Sequence, residues 1–320
     1  MRVKICFHHT QGLENDAKVI GRTLYNQEVE FDYVCYREES LYEMYTKKEK
    51  CTHDIVIFLE HIHPKYIEVG EKVIYILNPE CVTKRDQLML KHCHQILCKT
   101  RMTYEVMKDY NREYIGFSSV DRYLGDIKKQ PQCIHIRGVS KYKHTQVVID
   151  TWLANPQYPI IHIVTQESVR IPNMVKIAEN VILHQRKLEE EELKELMNIC
   201  ELHVCPSMCE GYGHYINEAR SVGGIVLTTD AAPMNEHITK EYGILIKYEN
   251  KIEKNGVCMY EVTQPSLEKG VEKYMRLSSE ERCNMMQKAR EMYIESTLDF
   301  ERRFQRTLSS SSSESRSFSS

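Results

Sequence analysis

Short apolar runs alternate with amphipathic stretches along most of the chain, and this alternation starts again in the second half. The runs in the first half predict strands at Val3–Phe7, Phe31–Cys35, Asp54–Leu59, Val73–Leu77, Gln95–Cys98 and Glu113–Phe117. Those in the second half predict strands at Cys133–Arg137, Ile160–Val164, Val181–Leu183, Leu202–Cys205, Ile225–Thr229 and Gly243–Ile246. Helical stretches such as Glu14–Asn26 and Arg101–Tyr110 lie between them. This pattern predicts two α/β domains, each with a parallel sheet covered by helices.

The domain boundaries follow from composition. The polar segment Gly125–Gln132 contains a proline and is typical of a linker. We therefore predict an N-terminal domain at 1–128 and a C-terminal domain at 129–285. Helices are predicted at Ser266–Leu277 and Ser279–Leu308, and residues 286–308 of the second would form a crossover helix. Nine of the last twelve residues are serine, which predicts a disordered tail at 309–320.

Charge and composition exclude several classes of protein. A net charge of −3 over 320 residues gives no sign of nucleic-acid binding. No apolar run approaches the roughly 18–20 residues that a membrane-spanning helix needs. The segment Met1–Phe7 enters a strand at once, which leaves no room for a signal peptide. The twelve cysteines are scattered, so we expect free thiols in a reducing compartment and a cytoplasmic location.

The segment from Cys205 to Ala219 carries the most specific chemistry. It predicts the end of a buried strand, a loop with two glycines, and a helix that continues to a C-cap at Gly223-Gly224. Such a turn directs the backbone N–H groups near Gly213 and the positive end of the helix toward one point, which favours an anionic ligand. Glu210 in the loop and Glu218 in the helix add hydrogen-bond acceptors. We therefore predict a ligand with phosphate and hydroxyl groups, such as a nucleotide sugar.

These residues resemble the donor-binding half of the retaining GT-B glycosyltransferases of glycosyltransferase family 4, the group 1 type. The resemblance is carried by Pro206-Ser207, Glu210-Gly211-Tyr212-Gly213, Glu218-Ala219, Gly223-Gly224 and Pro233 through Glu236. Two glutamates separated by seven residues form the family signature, and Glu210 and Glu218 have that spacing. Two other readings stay open: an ordinary βαβ unit with a solvated glutamate face, and a dinucleotide-binding turn. The second would need a glycine where Ile216 stands.

The resemblance implies a fold and an activity. The fold would be α/β of the GT-B type, with two Rossmann-like domains that face a central cleft and a C-terminal helix that crosses back to the N-terminal domain. The activity would be that of a retaining, hexosyltransferase-type glycosyltransferase. Such an enzyme moves a sugar from a nucleoside-diphosphate sugar to a hydroxyl acceptor such as a glycan.

The resemblance also implies roles for the donor-side residues. Glu218 would accept hydrogen bonds from the ribose hydroxyls, and Glu210 would contact the donor sugar. His214, at the start of the helix, would hydrogen-bond the sugar or phosphate, or would be a neutral cap residue. Glu236 would support the donor pocket from the following loop. The remaining donor-binding candidates in this segment are Gly211, Tyr212 and Gly213.

A second motif, Gly138 to Thr145, opens the C-terminal domain. Gly138 permits a tight turn after a strand, and Thr145 can cap the helix that follows. In the family, an arginine and a lysine of this loop hold the donor diphosphate. Lys143 falls on the lysine position, whereas Gly138 falls on the arginine position and Arg137 is one residue early. The loop resembles a subset of related transferases, many of them virus-encoded, and we assign Gly138, Ser140 and Lys143 to donor binding.

Glu210, Lys143 and His214 are the catalytic candidates. As the nucleoside diphosphate leaves, negative charge grows on its β-phosphate. Lys143, Ser140 and the amides near Gly213 would stabilise that charge electrostatically.

The acceptor side is predicted from weaker signals in the first half. Gly12 falls in the loop after the first strand, where it would let a ligand approach the backbone. Asn78 and Glu80 follow a later strand, and Lys99 follows another. The stretches around them resemble cleft-facing segments of the same transferase subset. Asn78-Pro79 is also an ordinary turn starter, so both roles stay open for it.

We expect no metal and no cofactor, with the nucleotide sugar as donor substrate. The two histidine clusters are His61-Ile62-His63, and His92-Cys93-His94 with Cys81 and Cys98 nearby. Neither has the paired spacing of a zinc site, and His61 and His63 would point to opposite faces of an extended segment. No Asp-x-Asp stretch is present.

A non-catalytic GT-B protein that binds a nucleotide sugar or a partner is the alternative function. The Glu210 and Glu218 pair favours the enzyme, and the missing family arginine favours the binding protein. A GT-B epimerase or phosphorylase has no specific support. The expected partners are a nucleoside-diphosphate sugar and a glycan or other hydroxyl acceptor, without nucleic acid or a membrane span, and the oligomeric state stays open.

Overall fold

The computed structural model describes residues 1–37, 41–46, 48–125, 127–138, 140–169, 179–254 and 257–314. The chain divides into two compact units. Unit 1 comprises Met1–Ser119 and Ser296–Ser320, and unit 2 comprises Val120–Glu295. Each unit is built on its own six-stranded sheet. All twelve predicted strands are present, with ends that differ by a few residues.

Unit 1 contains a parallel sheet with helices between its strands. The strands are β1 (Arg2–His8), β2 (Glu30–Tyr36), β3 (His53–Leu59), β4 (Gly70–Ile76), β5 (Gln95–Cys98) and β6 (Arg112–Tyr114). The helices are α1 (Gln11–Asn26), α2 (Leu41–Thr46), α3 (Lys84–Met89) and α4 (Arg101–Val106). The strand order is β2-β1-β3-β4-β5-β6, and every neighbouring pair is parallel. The order therefore changes direction between β1 and β3.

The first helix begins earlier than its sequence pattern predicts. Thr10 is its N-cap, and the Thr10 hydroxyl accepts a hydrogen bond from the Leu13 N–H at 3.3 Å. This bond satisfies one of the free amides of the first turn, so the helix starts at Gln11. Gly12 consequently lies in the first turn of α1, and the prediction that it lies in a loop is wrong.

Unit 2 contains the second parallel sheet. Its strands are β7 (Gln130–Gly138), β8 (Ile161–Thr165), β9 (Val181–Gln185), β10 (Cys200–Cys205), β11 (Ile225–Thr229) and β12 (Gly243–Ile246). Its helices are α5 (Thr145–Ala154), α6 (Glu190–Ile199), α7 (His214–Ser221) and α8 (Gln264–Arg276). The strand order is β12-β11-β10-β7-β8-β9, again parallel throughout. Here the order changes direction between β7 and β10.

Part of the predicted linker belongs to the unit 2 sheet. Gln130 begins β7 and pairs with Cys200 of β10, so the polar end of the segment Gly125–Gln132 is strand. Its polar side chains are tolerated because Gln130 and Pro131 are exposed at the start of the strand. Asp126, within the same predicted linker, lies outside the described residues.

Two elements near the C-terminus differ from the prediction. An antiparallel hairpin of β13 (Asn250–Lys254) and β14 (Val257–Glu261) was not expected. The last helix, α9 (Ser279–Glu314), continues six residues past Leu308, where it was predicted to end, and disorder of the tail stays a prediction. Extending an existing helix costs far less than nucleating one, which lets polar serines continue it. Residues 315–320 of the predicted tail lie outside the described residues.

The core of each unit contains the central strands of its sheet. The central strands are buried on both faces, as in Val56, Ile57 and Phe58 of β3. No helix in the described ranges is both long and apolar enough to cross a membrane. All twelve cysteines are free thiols, as predicted, and the reducing compartment stays a prediction. Burial raises the pKa of Cys200 to about 12, so this thiol stays protonated at neutral pH.

Candidate functional site

The two predicted donor loops follow neighbouring strands at the point where the sheet of unit 2 changes direction. One loop follows β7 at Gly138, and the other follows β10 and ends at Gly213. Ligands of open parallel sheets bind beyond the carboxyl ends of the strands at such a switch point. Gly138 has φ +59° and Gly213 has φ +97°, values that side chains with a Cβ rarely adopt. The sequence therefore needs glycine at both positions.

Backbone and side-chain hydrogen bonds hold the two loops together. The Met208 N–H donates to the Tyr142 carbonyl at 2.8 Å, and His144 Nδ1 donates to the Pro206 carbonyl at 2.8 Å. His144 is the N-cap of α5 and has φ +51°. Thr145 is therefore the first residue of the helix, and the prediction that it caps the helix is wrong.

His135 explains where the Thr145 side chain goes. The buried ring of His135 donates from Nδ1 to the Val204 carbonyl at 2.8 Å. Its Nε2 is then an acceptor, and it receives the Thr145 hydroxyl at 2.9 Å. Burial lowers the pKa of His135 to about 4, which keeps the ring neutral. A neutral histidine thus joins β7, β10 and the start of α5 beneath the site.

Two predicted catalytic residues meet at the junction of the loops. Lys143 Nζ forms an ion pair with Glu210 Oε1, and each side chain is 13% exposed. The same ammonium lies 3.5 Å from the centroid of the Tyr215 ring, a cation–π contact. The structure therefore places a lysine and a carboxylate of the predicted set in direct contact, although 67 residues separate them in the sequence.

A chain of hydroxyl groups also contacts Glu210, at the same oxygen that Lys143 contacts. The Ser207 hydroxyl donates to Glu210 Oε1 at 2.5 Å, and it lies 2.5 Å from the Tyr215 hydroxyl. Because the single Ser207 proton goes to the carboxylate, Tyr215 donates to Ser207 Oγ. Burial raises the pKa of Tyr215 well above its ordinary value, so the phenol keeps its proton. Ser207 and Tyr215 were not predicted as site residues, because their role depends on this long-range arrangement.

The start of α7 is fixed by a buried histidine of the next connection. His237 Nε2 donates to the Tyr212 carbonyl at 2.5 Å, and the two rings meet edge to face at 4.6 Å. Burial lowers the pKa of His237 to about 3, so its ring is neutral. His214 stands at the first position of α7, with its ring 5.2 Å from that of Tyr212. The amides that begin α7 are thereby held in one orientation.

Glu218 is engaged by an arginine that sequence analysis missed. Arg122 Nη2 donates to Glu218 Oε1 at 3.1 Å, and Arg122 Nε lies 3.1 Å from Glu218 Oε2. The two side chains are 9% and 10% exposed. Each carboxylate oxygen retains a second lone pair for a further donor. Nothing local marks Arg122, since 96 residues separate it from its partner.

The other donor-side candidates differ in their burial. The Ser140 hydroxyl accepts the Tyr142 N–H at 3.2 Å, and the Ser140 carbonyl accepts Arg137 Nε at 3.2 Å. Arg137 is therefore tied to the loop backbone. Glu236 ends a short 3₁₀ turn, Met234–Glu236, and is exposed. Gly211 lies buried beside Tyr212.

Two of the acceptor-side candidates, Lys99 and Asn78, pair with other residues of unit 1. Lys99 is 3% exposed, and its ammonium pairs with Asp16 at 2.9 Å. Asn78 Nδ2 donates to Glu60 Oε2 at 2.7 Å. Glu80 lies in the 3₁₀ turn Pro79–Cys81 that follows. Lys99 thus has its charge balanced inside unit 1.

The histidine clusters have other partners. His61 Nδ1 bonds Asp86 Oδ2 at 2.9 Å, and His94 Nδ1 accepts the Val73 N–H at 3.0 Å. His61 and His63 line the same cavity, and the prediction of opposite faces does not apply, because it concerned an extended segment and the chain bends at Glu60 and His61. In the part of the chain that the structure describes, no three His, Cys, Asp or Glu side chains come together as a metal site would require.

Known proteins resemble this chain in part of its sequence and in its fold. Residues 172–292, less than half of the chain, match the model of glycosyl transferases group 1. No curated protein sequence matches the chain. The structure of Anabaena HepE with UDP-glucose aligns with a TM-score of 0.67 at 12% identity, covering 96% of this chain and 99% of HepE. Sucrose-phosphate synthase from Thermosynechococcus elongatus aligns with a TM-score of 0.65 at 9% identity, covering 97% and 100%.

TarM aligns with a TM-score of 0.62 at 15% identity over 80% of this chain. The alignment covers 54% of TarM, so the chain spans about half of that protein's length. Together with the two parallel six-stranded sheets, these alignments decide the architecture. The chain has the GT-B fold.

The matched segment covers most of the donor-side residues of this GT-B chain. Glu210 through Glu218 and Glu236 lie within 172–292, whereas Gly138, Ser140 and Lys143 precede it. The predicted α/β GT-B class is confirmed. The contact between Lys143 and Glu210 links the loop outside the matched segment to the loop inside it.

Proposed function

We propose that the protein is a retaining glycosyltransferase that moves a hexose from a nucleoside-diphosphate sugar to a hydroxyl acceptor such as a glycan, without a metal ion. The enzyme would be of the family 4 type, similar to the subset that includes virus-encoded transferases. Its location would be the cytoplasm, which is the host cytoplasm for a virus-encoded protein. The proposal also assigns acceptor binding to the N-terminal domain, predicted at 1–128, and donor binding to the C-terminal domain, predicted at 129–285. Arg122, which pairs with Glu218, belongs to the compact unit of the donor side, which begins at Val120. The observation that supports the proposal most is the contact of Lys143 and Glu210 at the switch point of unit 2.

Lys143 would act on the leaving group. Its ammonium lies beside Glu210 and Tyr215, with little solvent to weaken its charge. When a donor binds, its diphosphate would compete with Glu210 for this ammonium. As the bond to the sugar breaks, negative charge on the β-phosphate grows, and the attraction to Lys143 grows with it. Glu210, released from Lys143, would accept hydrogen bonds from hydroxyl groups of the donor sugar.

The donor nucleotide would be held by Glu218, in the second turn of α7. Arg122 fixes the plane of the Glu218 carboxylate, and the free lone pairs would accept the two ribose hydroxyls. The amides at the start of α7 would face the phosphates, as helix N-termini do for anions. HepE, one of the proteins of similar fold, was solved with UDP-glucose, so a UDP-sugar is the first donor to test.

The first experiment is a thermal-shift screen with a panel of nucleotide sugars. A ligand present at about 100 times its dissociation constant adds about 2.7 kcal/mol of stability. We expect one nucleotide class to stabilise the protein and Glu218→Gln to reduce that shift. The matched control is Glu201→Gln, because Glu201 is also a buried, ion-paired glutamate but lies at the opposite end of β10. If both variants respond like the wild type, Glu218 does not bind the nucleotide.

The second experiment measures turnover. Release of nucleoside diphosphate that depends on an acceptor, with the anomeric configuration of the product read by NMR, tests both transfer and retention. The reaction should persist in excess EDTA, because Lys143 and the α7 amides would neutralise the diphosphate. Donor binding without any release would instead identify a non-catalytic binding protein.

A further inference from the structure

Unit 1 has its own switch point, and a cavity lies there. The order of its strands changes direction between β1 and β3. A cavity of about 400 Å³ is lined by His8 at the end of β1, by Tyr36 and Arg37 at the end of β2, and by His61 and His63 after β3. This volume falls in the range of small-molecule sites, and the position is the one where parallel sheets bind ligands.

Arg85 of α3 also lines the cavity, and its guanidinium has little to bind inside the protein. Nη1 reaches the sulfur of Met44 at 3.6 Å, a weak acceptor. Nε is buried and has no hydrogen-bond partner among the described residues. Within those residues no carboxylate forms an ion pair with Arg85. A buried arginine nitrogen without an acceptor requires an explanation, and a ligand that supplies the acceptor is one.

The carboxylate of Asp86, the residue after Arg85, accepts hydrogen bonds from groups other than Arg85. Asp86 is fully buried, and its oxygens accept His61 Nδ1 at 2.9 Å, the Ile62 N–H at 3.1 Å and the Thr83 N–H at 2.9 Å. The hydrogen bond to Asp86 raises the pKa of His61, even though burial acts in the opposite direction. His61 is therefore biased toward its cationic form next to Arg85 and Arg37. The second carboxylate near this ring is Glu60, whose Oε1 lies 3.6 Å from His61 Nε2.

The walls of the cavity add shape but few acceptors. The Tyr36 and His63 rings pack with centroids 4.6 Å apart. The Tyr36 hydroxyl donates to the His61 carbonyl at 3.0 Å and is thereby engaged. Two arginines and histidines thus face a space that offers mainly donors. Arginine favours planar or tetrahedral oxyanions, which it can bind through two parallel hydrogen bonds.

We propose that this cavity binds a phosphoryl or carboxyl group through Arg85, Arg37 and His61, and that the sugar acceptor carries that group. The part that concerns the acceptor rests on the transferase function proposed above. The binding of an oxyanion stands on the cavity alone. The site is separate from the acceptor candidates Gly12, Asn78, Glu80 and Lys99, none of which lines it.

The binding experiment uses the full-length protein and titrates inorganic phosphate or acetate, with uncharged glucose as the neutral probe. We expect saturable phosphate or acetate binding to the wild type and a loss of about tenfold or more in affinity for Arg85→Gln, as for removal of one charged hydrogen-bonding group. Arg37→Gln, at an exposed position, is the second variant in case Arg85→Gln does not fold. Arg22→Gln on the exposed face of α1 is the matched control and should bind like the wild type.

The donor site of unit 2 provides the decisive comparison, because phosphate would also bind Lys143. Binding that survives Lys143→Gln and is lost in Arg85→Gln supports the cavity. Binding lost only in Lys143→Gln, binding equal in all variants, or no binding of either anion overturns it. Whether phosphate or acetate binds more tightly distinguishes the phosphoryl from the carboxyl group.

The acceptor experiment compares two glycosides of the same sugar. One carries a phosphomonoester or a carboxylate, and the other lacks that charged group. We expect the charged glycoside to have a KM about tenfold lower in the wild type, and this advantage to disappear in Arg85→Gln. Equal KM values in the wild type would overturn the acceptor part. Failure of the transferase proposal has a different signature: neither glycoside would release nucleoside diphosphate, while anion binding at Arg85 would persist.

Discussion

Removing the Arg122 guanidinium should destabilise unit 2 strongly, because it leaves the Glu218 carboxylate buried without its cation. The two side chains are 9% and 10% exposed and are joined by two contacts of 3.1 Å. Breaking a buried ion pair on one side typically costs about 3–5 kcal/mol. The second partner of Arg122 is Glu190, which is 65% exposed, and an exposed pair contributes about 0–1 kcal/mol. We therefore expect Arg122→Met to lower the free energy of unfolding by about 3–5 kcal/mol.

The single tryptophan makes the measurement specific to this unit. Trp152 is fully buried in α5, so its fluorescence in a urea titration follows the unfolding of unit 2. The double variant Arg122→Met with Glu218→Gln removes both charges, and it should recover part of the loss. Arg276→Met is the control, because the Arg276 side chain is 79% exposed and pairs with Glu272 of its own helix. We expect it to change stability by less than about 0.5 kcal/mol.

A cost below about 1 kcal/mol for Arg122→Met, the range of an exposed ion pair, would contradict this prediction. A double variant less stable than Arg122→Met would contradict it as well. Either result would mean that water or another group solvates Glu218 as well as Arg122 does. Glu218 would then need no arginine to be held in place for a ligand.

Three further outcomes are expected. Lys143→Ala should lower kcat more than it weakens donor binding, because the charge matters most as the phosphate leaves; a loss in KM alone would make it an anchor. Gly213→Ala should cost about 1–2 kcal/mol in the same Trp152 titration, since φ is +97°, and a neutral effect would contradict the strained turn. Burial lowers the pKa of His203 and His237 to about 3 each, whereas an unfolded chain has about 6.5. Between these two pKa values the unfolded state binds more protons, so the free energy of unfolding should fall as the pH falls, by up to about 1.4 kcal/mol per pH unit for each histidine. His203→Gln should make this dependence of stability on pH less steep, and an unchanged dependence would refute the prediction.

The strands and the two glycine turns could be predicted from the sequence because their signals are local. A buried parallel strand is a short apolar run, and β3 shows one from Ile55 to Leu59. Gly138 and Gly213 mark turns whose backbone angles exclude most other residues. The order of these elements along the chain was sufficient to predict a two-sheet α/β fold with the donor loops after β7 and β10.

The local signals failed where polar residues form regular structure or where two caps compete. In the β13–β14 hairpin, β13 is mostly polar, so no apolar run predicted it, whereas the apolar run Val257–Tyr260 of β14 was overlooked. At the start of α5, Thr145 has the better capping side chain, yet its hydroxyl is taken by His135 from the neighbouring strand. The bond to His135 is made only after β7 and α5 have packed together.

The partners of the charged residues were decided by tertiary structure alone. The sequence determined that unit 2 would present Lys143, Glu210 and Glu218 near the ends of two strands. It did not determine that Lys143 would pair with Glu210, that Arg122 would pair with Glu218, or that Arg85 would face a cavity with His61 and Arg37. A local pattern specifies which way a backbone segment folds, because it depends on neighbouring residues. Burial and pairing of a charge depend on residues about 70 to 100 positions away, which only the packed sheets bring within hydrogen-bond distance.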